Sequence, residues 1–293
     1  MKTYLVLEGG GMRGAYTAGV LDCFMDLSIS FLDIVGVSAG VCNDSSYVSN
    51  QYKRSYDVLK TFSQDKRYLS VENLVKTGSA FGTTFIFDTI PNQLMPFDYP
   101  AFKDSSVSLR AVCTNLETGM PAYFKVNDLK KDINLMIASC ALPLISKGVT
   151  IDKDVYYDGG VADPIPIEYA LYHSDFQVAV LTRPKGYRKR KLLSSRIAST
   201  RYIHHKSFSK ALRQRSEVYN RSLERLEDLA QQNKALIIRP SKDLGLNRFE
   251  KDFSKLEELY YMGYSDALKH KEQLLEVIKA SKNVIRTEKN DNF

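Results

Sequence analysis

The sequence predicts an α/β fold with three layers (α/β/α) around a central, mostly parallel sheet. Short apolar runs bounded by glycine, proline or charge alternate with amphipathic segments of helical length, a pattern typical of a parallel sheet covered on both faces. In addition, two glycine-rich turns in the first forty residues each follow an apolar run and precede a helical pattern. They indicate two consecutive strand–turn–helix units at the start of the chain.

Seven apolar runs have the length and composition of strands. These runs are Thr3–Leu7, Phe31–Val37, Val107–Thr114, Ala122–Lys125, Val149–Tyr156, Phe176–Leu181 and Ala235–Ile238. Apolar residues at helical spacing predict helices over Ala15–Leu27, Leu129–Cys140 and Lys206–Gln232. Asp163 directly before Pro164 predicts an N-cap and first helical residue for a further helix through Tyr172.

The chain has 293 residues and no obvious linker, so we expect one domain over residues 1–285 and a frayed polar tail over 286–293. Residues 66–100 are rich in glycine and proline. They predict an insertion that forms a lid or one wall of a substrate cleft, with a plain surface excursion as the alternative.

The charge balance is basic, with a formal net charge of +7. Much of the excess lies in residues 183–201, which predict a solvated basic loop or, alternatively, transient contact with an anionic membrane surface. Nucleic acid is not an expected partner because no known binding motif surrounds this run.

The four cysteines are scattered without a CxxC pair, which argues against a disulfide framework and a structural zinc site. No segment approaches the roughly 20 apolar residues of a membrane span. The first apolar run is also too short for a signal peptide. We therefore expect a cytoplasmic protein that is at most peripheral to the membrane, and no metal or cofactor.

The second turn reads Gly36-Val37-Ser38-Ala39-Gly40. Glycines on both sides of the serine leave room for a crowded strand-to-helix turn that exposes the hydroxyl. The small residue after the serine keeps its amide free to donate to an oxyanion. This spacing predicts a nucleophilic serine.

The first turn reads Gly9-Gly10-Gly11-Met12-Arg13-Gly14 and has two interpretations. Its GxGxxG spacing matches a dinucleotide-binding fingerprint, but the acidic residue of the second strand, Asp33, lies inside the strand and not at its tip. The alternative is a nest of backbone amides that binds an oxyanion. In that case Arg13 either holds the loop, meets a phosphate headgroup or forms a surface ion pair.

A serine nucleophile needs a proton acceptor. Of the four histidines, His204 and His205 lie in a basic polar stretch, His270 lies in a lysine-rich helix, and His173 falls near the end of a predicted helix. Asp158 follows an apolar run and precedes two glycines, so it can point into the crevice that holds the serine. The sequence therefore favours a Ser–Asp dyad.

Together these motifs resemble those of the patatin-like phospholipase family, in its bacterial cytoplasmic branch. The glycine loop resembles the family's oxyanion-hole motif, the Ser38 turn its nucleophile elbow, and Asp158-Gly159-Gly160 its aspartate motif. The segment from Ala138 to Pro143 resembles the small-residue stretch that precedes that aspartate. The resemblance implies a patatin-like α/β/α fold, a Ser–Asp dyad without metal, and hydrolysis of acyl esters of phospholipids or lysophospholipids.

The resulting hypothesis is a serine acyl hydrolase acting on lipid or acyl-ester substrates, with Ser38 as nucleophile and Asp158 as base. The residues expected to form the oxyanion hole are Gly9, Gly10, Gly11, Met12 and Ala39. The residues expected to support the two turns are Arg13, Gly14, Gly36, Gly40, Gly159 and Gly160. Two alternatives stay open: an acyltransferase with the same dyad, and a nucleotide- or lipid-binding module without catalysis.

Overall fold

The structure, a computed structural model, describes residues 1–190 and 199–290, and for residues 282–290 the backbone alone. Its strands are β1 Thr3–Leu7, β2 Asp33–Val37, β3 Ser108–Asn115, β4 Pro121–Val126, β5 Val149–Ile151, β6 Asp154–Asp158, β7 Phe176–Val180 and β8 Ala235–Ile238. Its helices are α1 Gly14–Asp26, α2 Ala39–Val48, α3 Arg54–Phe62, α4 Val71–Thr77, a π-helix Phe85–Leu94, α5 Tyr99–Asp104, α6 Ile133–Cys140, α7 Ile167–His173, α8 Lys206–Gln231, α9 Phe253–Lys269 and α10 Lys271–Asn290.

The strands form one sheet in the hydrogen-bonded order β5-β6-β3-β2-β1-β7-β8, and β4 also pairs with β3. Strands β3, β2, β1, β7 and β8 run parallel to one another, whereas β4, β5 and β6 pair antiparallel with their neighbours. The predicted mostly parallel sheet is confirmed. All the parallel strands end at the same edge, which brings the loops that follow them together.

Helices cover both faces of this sheet because successive strand residues point to opposite sides. On one face Leu5 and Leu7 pack in a core with residues of α1, α2, α9 and α10. On the other face Tyr4 and Val6 pack in a second core with residues of α7 and α8. The predicted three-layer α/β/α arrangement is confirmed. Of the apolar stripe of the long helix α8, Leu223, Leu226 and Leu229 lie in this second core, whereas Phe208 and Leu212 pack in a separate cluster with Tyr157 and Tyr202.

Helices α1 and α9 cross at two glycines. A Cβ atom on Gly19 would overlap the backbone carbonyl oxygen of Tyr260, and one on Gly263 would overlap that of Tyr16. Tyr260 also donates a buried hydrogen bond of 2.7 Å to Asp22, whose pKa burial raises to about 6. The early strand–helix unit is therefore joined at close range to a helix from the last quarter of the chain.

Three predicted elements differ from the structure by more than two residues or in kind. The helix predicted over Leu129–Cys140 begins only at Ile133. The single strand predicted over Val149–Tyr156 is wrong, because Asp152 turns the chain at a φ of 54° and makes a hairpin of β5 and β6. The helix predicted to start at Asp163 begins instead at Ile167. The Asp163 carboxylate is not a cap, since it accepts a 2.6 Å hydrogen bond from the Tyr123 hydroxyl.

The remaining predictions concern the end of the chain and the basic segment. Helix α10 runs to Asn290, into residues 286–293 for which the sequence predicts a frayed tail, and residues 291–293 lie outside the described part. Residues 191–198 of the basic segment 183–201 also lie outside it. Among the helices of the described ranges, none combines the length and the apolar character needed to cross a bilayer.

The glycine crossing generates a prediction of stability. Gly263→Ala should lower the free energy of unfolding by about 1–3 kcal/mol, because the added methyl group forces α1 and α9 apart. In an open helix the same change would raise it by roughly 0.5–1 kcal/mol. Urea unfolding measures the change in the free energy of unfolding. That change should be negative if the two helices cross closely and positive if they do not. Ser265→Ala, at an exposed position of the same helix, is the control and should change the value by less than about 0.5 kcal/mol.

Candidate active site

Ser38 occupies a strained turn between β2 and α2. Its backbone has φ 55° and ψ −122°, a conformation that costs of order 1–3 kcal/mol in a non-glycine residue. The flanking glycines are needed for close packing: a Cβ on Gly40 would lie 2.8 Å from the Leu7 carbonyl oxygen, and one on Gly36 would lie 2.6 Å from Asp44 Oδ2. Burial raises the pKa of Asp44 well above its usual value.

The Ser139 side chain holds this turn in place. The Ser38 amide donates to Ser139 Oγ at 3.0 Å, and that hydroxyl donates in turn to the carbonyl oxygen of Val112 at 2.7 Å. Ser139 is fully buried. One side chain of α6 therefore ties the turn after β2 to the neighbouring strand β3.

The pairing of β3 places Asp158 next to Ser38. Strand β4 uses one edge of β3 from Leu109 to Thr114. Strand β6, which pairs with Cys113 and Thr114, must therefore use the other edge, the one that β2 occupies as far as Val112. Asp158 is paired with Cys113, one residue beyond the partner of Val37. The last residue of β6 thus meets the first residue after β2.

The Asp158 carboxylate is buried at this junction, with 2% of the residue exposed. Its Oδ1 accepts a 2.7 Å hydrogen bond from the Gly160 amide, and its own amide donates to the Ala141 carbonyl oxygen at 2.9 Å. A Cβ on Gly159 would overlap the Val112 carbonyl oxygen. Both glycines of the aspartate motif therefore have a role in its position: one donates to the carboxylate, and the other allows close packing on β3.

The glycine loop lies against the same point. A Cβ on Gly9 would lie 3.1 Å from the Cβ of Ser38, and one on Gly14 would lie 2.9 Å from that of Ala39. Gly11 has a φ of 57° and packs on the carbonyl oxygen of Arg248. The loop therefore approaches the Ser38 turn as closely as backbone permits.

The amides of this loop differ in their partners. The Met12 amide donates to the Arg248 carbonyl oxygen at 3.1 Å, so this member of the predicted oxyanion hole has another partner. Within the described residues, no hydrogen bond engages the amides of Gly9, Gly10, Gly11 and Ala39. These four amides therefore have the capacity to receive a developing negative charge.

Two cavities open on Ser38. The first, which we call the apolar cavity, has a volume of about 200 Å³. Much of its wall comes from the insertion over residues 66–100, including the π-helix, so the insertion is one wall of a cleft and not a plain surface excursion. The wall residues from the insertion are Tyr68, Phe81, Ile86, Phe87, Ile90, Pro91, Phe97 and Tyr99.

The second cavity, which we call the basic cavity, has a volume of about 770 Å³. Ser38, Asp158, Gly9, Gly10 and Gly11 line it together. Its other side is formed by the chain after β7, by α8 and by the loop before α9. The predicted catalytic residues and glycine loop therefore face one space, while Ser38 and Gly11 also border the apolar cavity.

Two histidines considered as the base, and the aspartate considered for nucleotide binding, lie away from Ser38. His173 packs its ring against Tyr4, near the start of β1 and at the sheet edge opposite Ser38. Asp33 starts β2 at that same edge, 3.5 Å from the Lys2 ammonium. His205 is 2.8 Å from Glu117, in the loop between β3 and β4. Within residues 1–190 and 199–281, whose side chains the structure describes, no cluster of three His, Cys, Asp or Glu side chains could bind a metal ion.

Sequence reasoning missed several neighbours of the site. Arg215 donates through Nε to the Gly160 carbonyl oxygen at 2.6 Å. Cys42 and Cys140, scattered in the sequence, have their sulfur atoms 3.5 Å apart beside Ser38. The sequence contains a signal for the small-residue segment that includes Ser139, but none for Arg215, because its contact depends on how α8 packs.

Comparison with known proteins agrees with this geometry. A family model described as "Patatin-like phospholipase" matches residues 5–171, more than half of the chain. The chain belongs to the patatin-like phospholipase family. The matched segment contains the glycine loop, Ser38 and Asp158, so the resemblance predicted from these motifs is confirmed. A second model, for a domain of unknown function (DUF6363), matches residues 205–279.

Relatives of this patatin-like chain are known in bacteria and in a virus. The uncharacterized protein YjjU of Escherichia coli (strain K12) is 30% identical over 170 residues, which cover 57% of this chain and 47% of YjjU. The probable lipid hydrolase 463L of Invertebrate iridescent virus 6 is 27% identical over 215 residues, covering 63% and 71%. The uncharacterized NTE family protein Rv1063c of Mycobacterium tuberculosis (strain ATCC 25618 / H37Rv) is 23% identical over 180 residues, covering 61% and 48%.

The match thus spans about half the length of two of these relatives. Among solved structures, VipD from Legionella pneumophila shares the fold with a TM-score of 0.54 at 11% identity. The similarity covers 93% of this chain and 67% of VipD. At that identity the comparison concerns the fold alone, and it supports the patatin-like three-layer arrangement.

The hydrogen bonds of Ser139 generate a prediction for this patatin-like site. Ser139→Ala should lower the free energy of unfolding by about 1–3 kcal/mol, since the buried Ser38 amide and the Val112 carbonyl group both lose their partner. Urea unfolding measures the change, and Ser207→Ala, at an exposed position, is the control. An unchanged value for Ser139→Ala would show that the hydroxyl does not hold the turn.

Proposed function

We propose that this chain is a serine acyl hydrolase that cleaves carboxylic esters of lipids through a Ser38–Asp158 dyad. The observation that carries the proposal is the position of Ser38 on a strained turn where two cavities meet. The free amides of the glycine loop and the buried carboxylate of Asp158 lie around it. Membership of the patatin-like phospholipase family and the naming of one relative as a probable lipid hydrolase support the choice of a lipid ester.

In the proposed first step, Ser38 Oγ attacks the ester carbonyl carbon while its proton passes to an Asp158 carboxylate oxygen. The carbonyl oxygen becomes an oxyanion that the amides of Gly10, Gly11 and Ala39 stabilise. One such donor is typically worth about 3 kcal/mol of barrier. Collapse of this intermediate breaks the bond to the alcohol oxygen, which leaves with the proton from Asp158.

In the second step water attacks the acyl-enzyme carbonyl and gives a proton to Asp158. The tetrahedral intermediate then breaks its bond to Ser38 Oγ, which takes the proton back, and the fatty acid is released. The apolar cavity is the proposed place for the acyl chain because aromatic and aliphatic side chains form much of its lining. We also propose that the protein is cytoplasmic and makes transient contact with anionic membranes.

The dyad is tested with a short-chain p-nitrophenyl ester. Ser38→Ala and Asp158→Asn should each lower kcat/KM by at least about 1,000-fold, because one loses the nucleophile and the other its proton acceptor. Asp154→Asn, at the exposed start of the same strand β6, is the matched control and should keep wild-type turnover. Turnover near the wild-type rate in Ser38→Ala or Asp158→Asn would contradict the dyad.

A fluorophosphonate probe separates catalysis from mere binding. An activated serine should be labelled in the wild-type protein and not in Ser38→Ala, whereas a binding module should stay unlabelled in both proteins.

Product analysis with an added alcohol distinguishes hydrolysis from the alternative acyltransferase activity, since a transferase would yield the new ester in place of the free acid.

A further inference from the structure

The lining of the basic cavity has a large excess of positive charge. Its lining includes two carboxylates, Glu8 and Asp158, and seven cationic side chains. The cationic residues are Arg13, Arg183, Arg188, Lys189, Arg190, Arg215 and Arg248. They come from the glycine loop, the chain after β7, helix α8 and the loop before α9. The fold therefore gathers cations from four distant stretches around one space beside Ser38.

The two carboxylates of the cavity offset only part of this positive charge. Glu8 is buried and accepts the Thr182 amide at 2.7 Å, and Asp158 accepts the Gly160 amide at 2.7 Å. Among the residues that the structure describes, Arg188 alone of the seven forms an ion pair within 4.0 Å, with Glu227 at 2.7 Å. Over the part of the chain that the structure describes, the other six cations therefore lack a carboxylate partner at ion-pair distance.

Two arginines also have unsatisfied donors. The Nε atoms of Arg13 and Arg183 are buried and, within the described residues, have no hydrogen-bond partner. A buried donor without a partner costs free energy, and more so when it is charged. Arg215 is held with its guanidinium near the aspartate turn by its hydrogen bond to the Gly160 carbonyl oxygen. An anion in the cavity would supply the missing acceptors.

The cations also destabilise one another. Burial first, and then neighbouring arginines, lower the pKa of Arg13 and of Arg215 to about 10, although Glu8 and Asp158 act in the opposite direction. Burial and the nearby Arg215 and Arg248 also hold the pKa of Lys189 well below its usual value. Both arginines remain charged at neutral pH, so their repulsion persists until an anion binds. Among biological anions, phosphate suits several guanidinium groups at once because it accepts bidentate hydrogen bonds.

We propose that the basic cavity binds the phosphate group of an anionic lipid headgroup while the apolar cavity holds the acyl chain of the same molecule. This inference rests on the proposed function and names its substrate class. Ser38 and Gly11 border both cavities, so an ester carbonyl at Ser38 lies between the chain and the phosphate. The preferred substrates are acyl lipids whose headgroup carries an uncompensated phosphate, and neutral acylglycerols are poor ones.

The proposal is tested by calorimetric binding to the Ser38→Ala protein. The probes are a medium-chain lysophosphatidic acid and the monoacylglycerol with the same chain, both below their micelle concentrations. The phosphate-bearing lipid should bind at least about tenfold more tightly, as expected for hydrogen bonds to charged groups. Inorganic phosphate and glycerol 3-phosphate should bind more weakly than the lipid, because they lack the chain.

Two further substitutions locate the site. Arg183→Gln and Arg248→Gln, each combined with Ser38→Ala, should reduce the preference for the phosphate-bearing lipid about tenfold. The Arg248 change keeps the backbone carbonyl that accepts the Met12 amide, and thermal unfolding verifies that each variant folds. Arg221→Gln, exposed on α8 and outside the cavity, is the matched control and should leave the preference unchanged.

Three results would overturn the proposal. They are equal affinity for the two lipids, a preference that survives both arginine substitutions, and inorganic phosphate binding as tightly as the lipid. The last would assign the cavity to free phosphate. Binding is measured on a protein without the nucleophile, so its failure is distinguishable from failure of hydrolysis. A wild-type protein that shows this preference and hydrolyses no ester would reject the proposed function and retain the phosphate site.

Discussion

The hydrogen bonds of one buried hydroxyl group support the geometry of the whole site. The Ser139 hydroxyl accepts a hydrogen bond from the amide of Ser38 and donates one to the carbonyl oxygen of Val112. A turn at positive φ persists only where its surroundings hold it. Asp158 pairs with Cys113, the residue after Val112, so the Ser38 turn and the carboxylate are both positioned on the same stretch of β3. Any shift of that strand moves both together.

The parts of the fold that sequence analysis predicted depend on local signals. Strands β1 and β8 occur with the predicted bounds, and α8 ends one residue earlier than predicted. Their apolar periodicity alone indicates a strand or an amphipathic helix. The Ser38 turn was also predictable from a local signal, the glycines at positions 36 and 40. In the structure these glycines allow close contacts with the adjacent helix and strand.

The features that the sequence could not predict depend on contacts between distant residues. Asp163 looks like a helix cap in the sequence, yet a tyrosine hydroxyl forty positions away binds its carboxylate. The Met12 amide, expected at the oxyanion, is engaged by the Arg248 carbonyl, more than two hundred residues later. Likewise, the basic residues near position 185 indicate only a charged surface until α8 and the loop before α9 enclose them in a cavity.

The strand order has a consequence for the boundaries of the functional unit. Strand β1, which leads into the glycine loop, pairs on its second edge with β7, and β7 pairs with β8. Both lie beyond residue 171, where the match to the patatin-like family ends. Truncation there would leave β1 as an unprotected edge and strip α1 of the helix that crosses it at Gly19. The segment that matches the family is thus a recognisable sequence unit but not a separable folding unit.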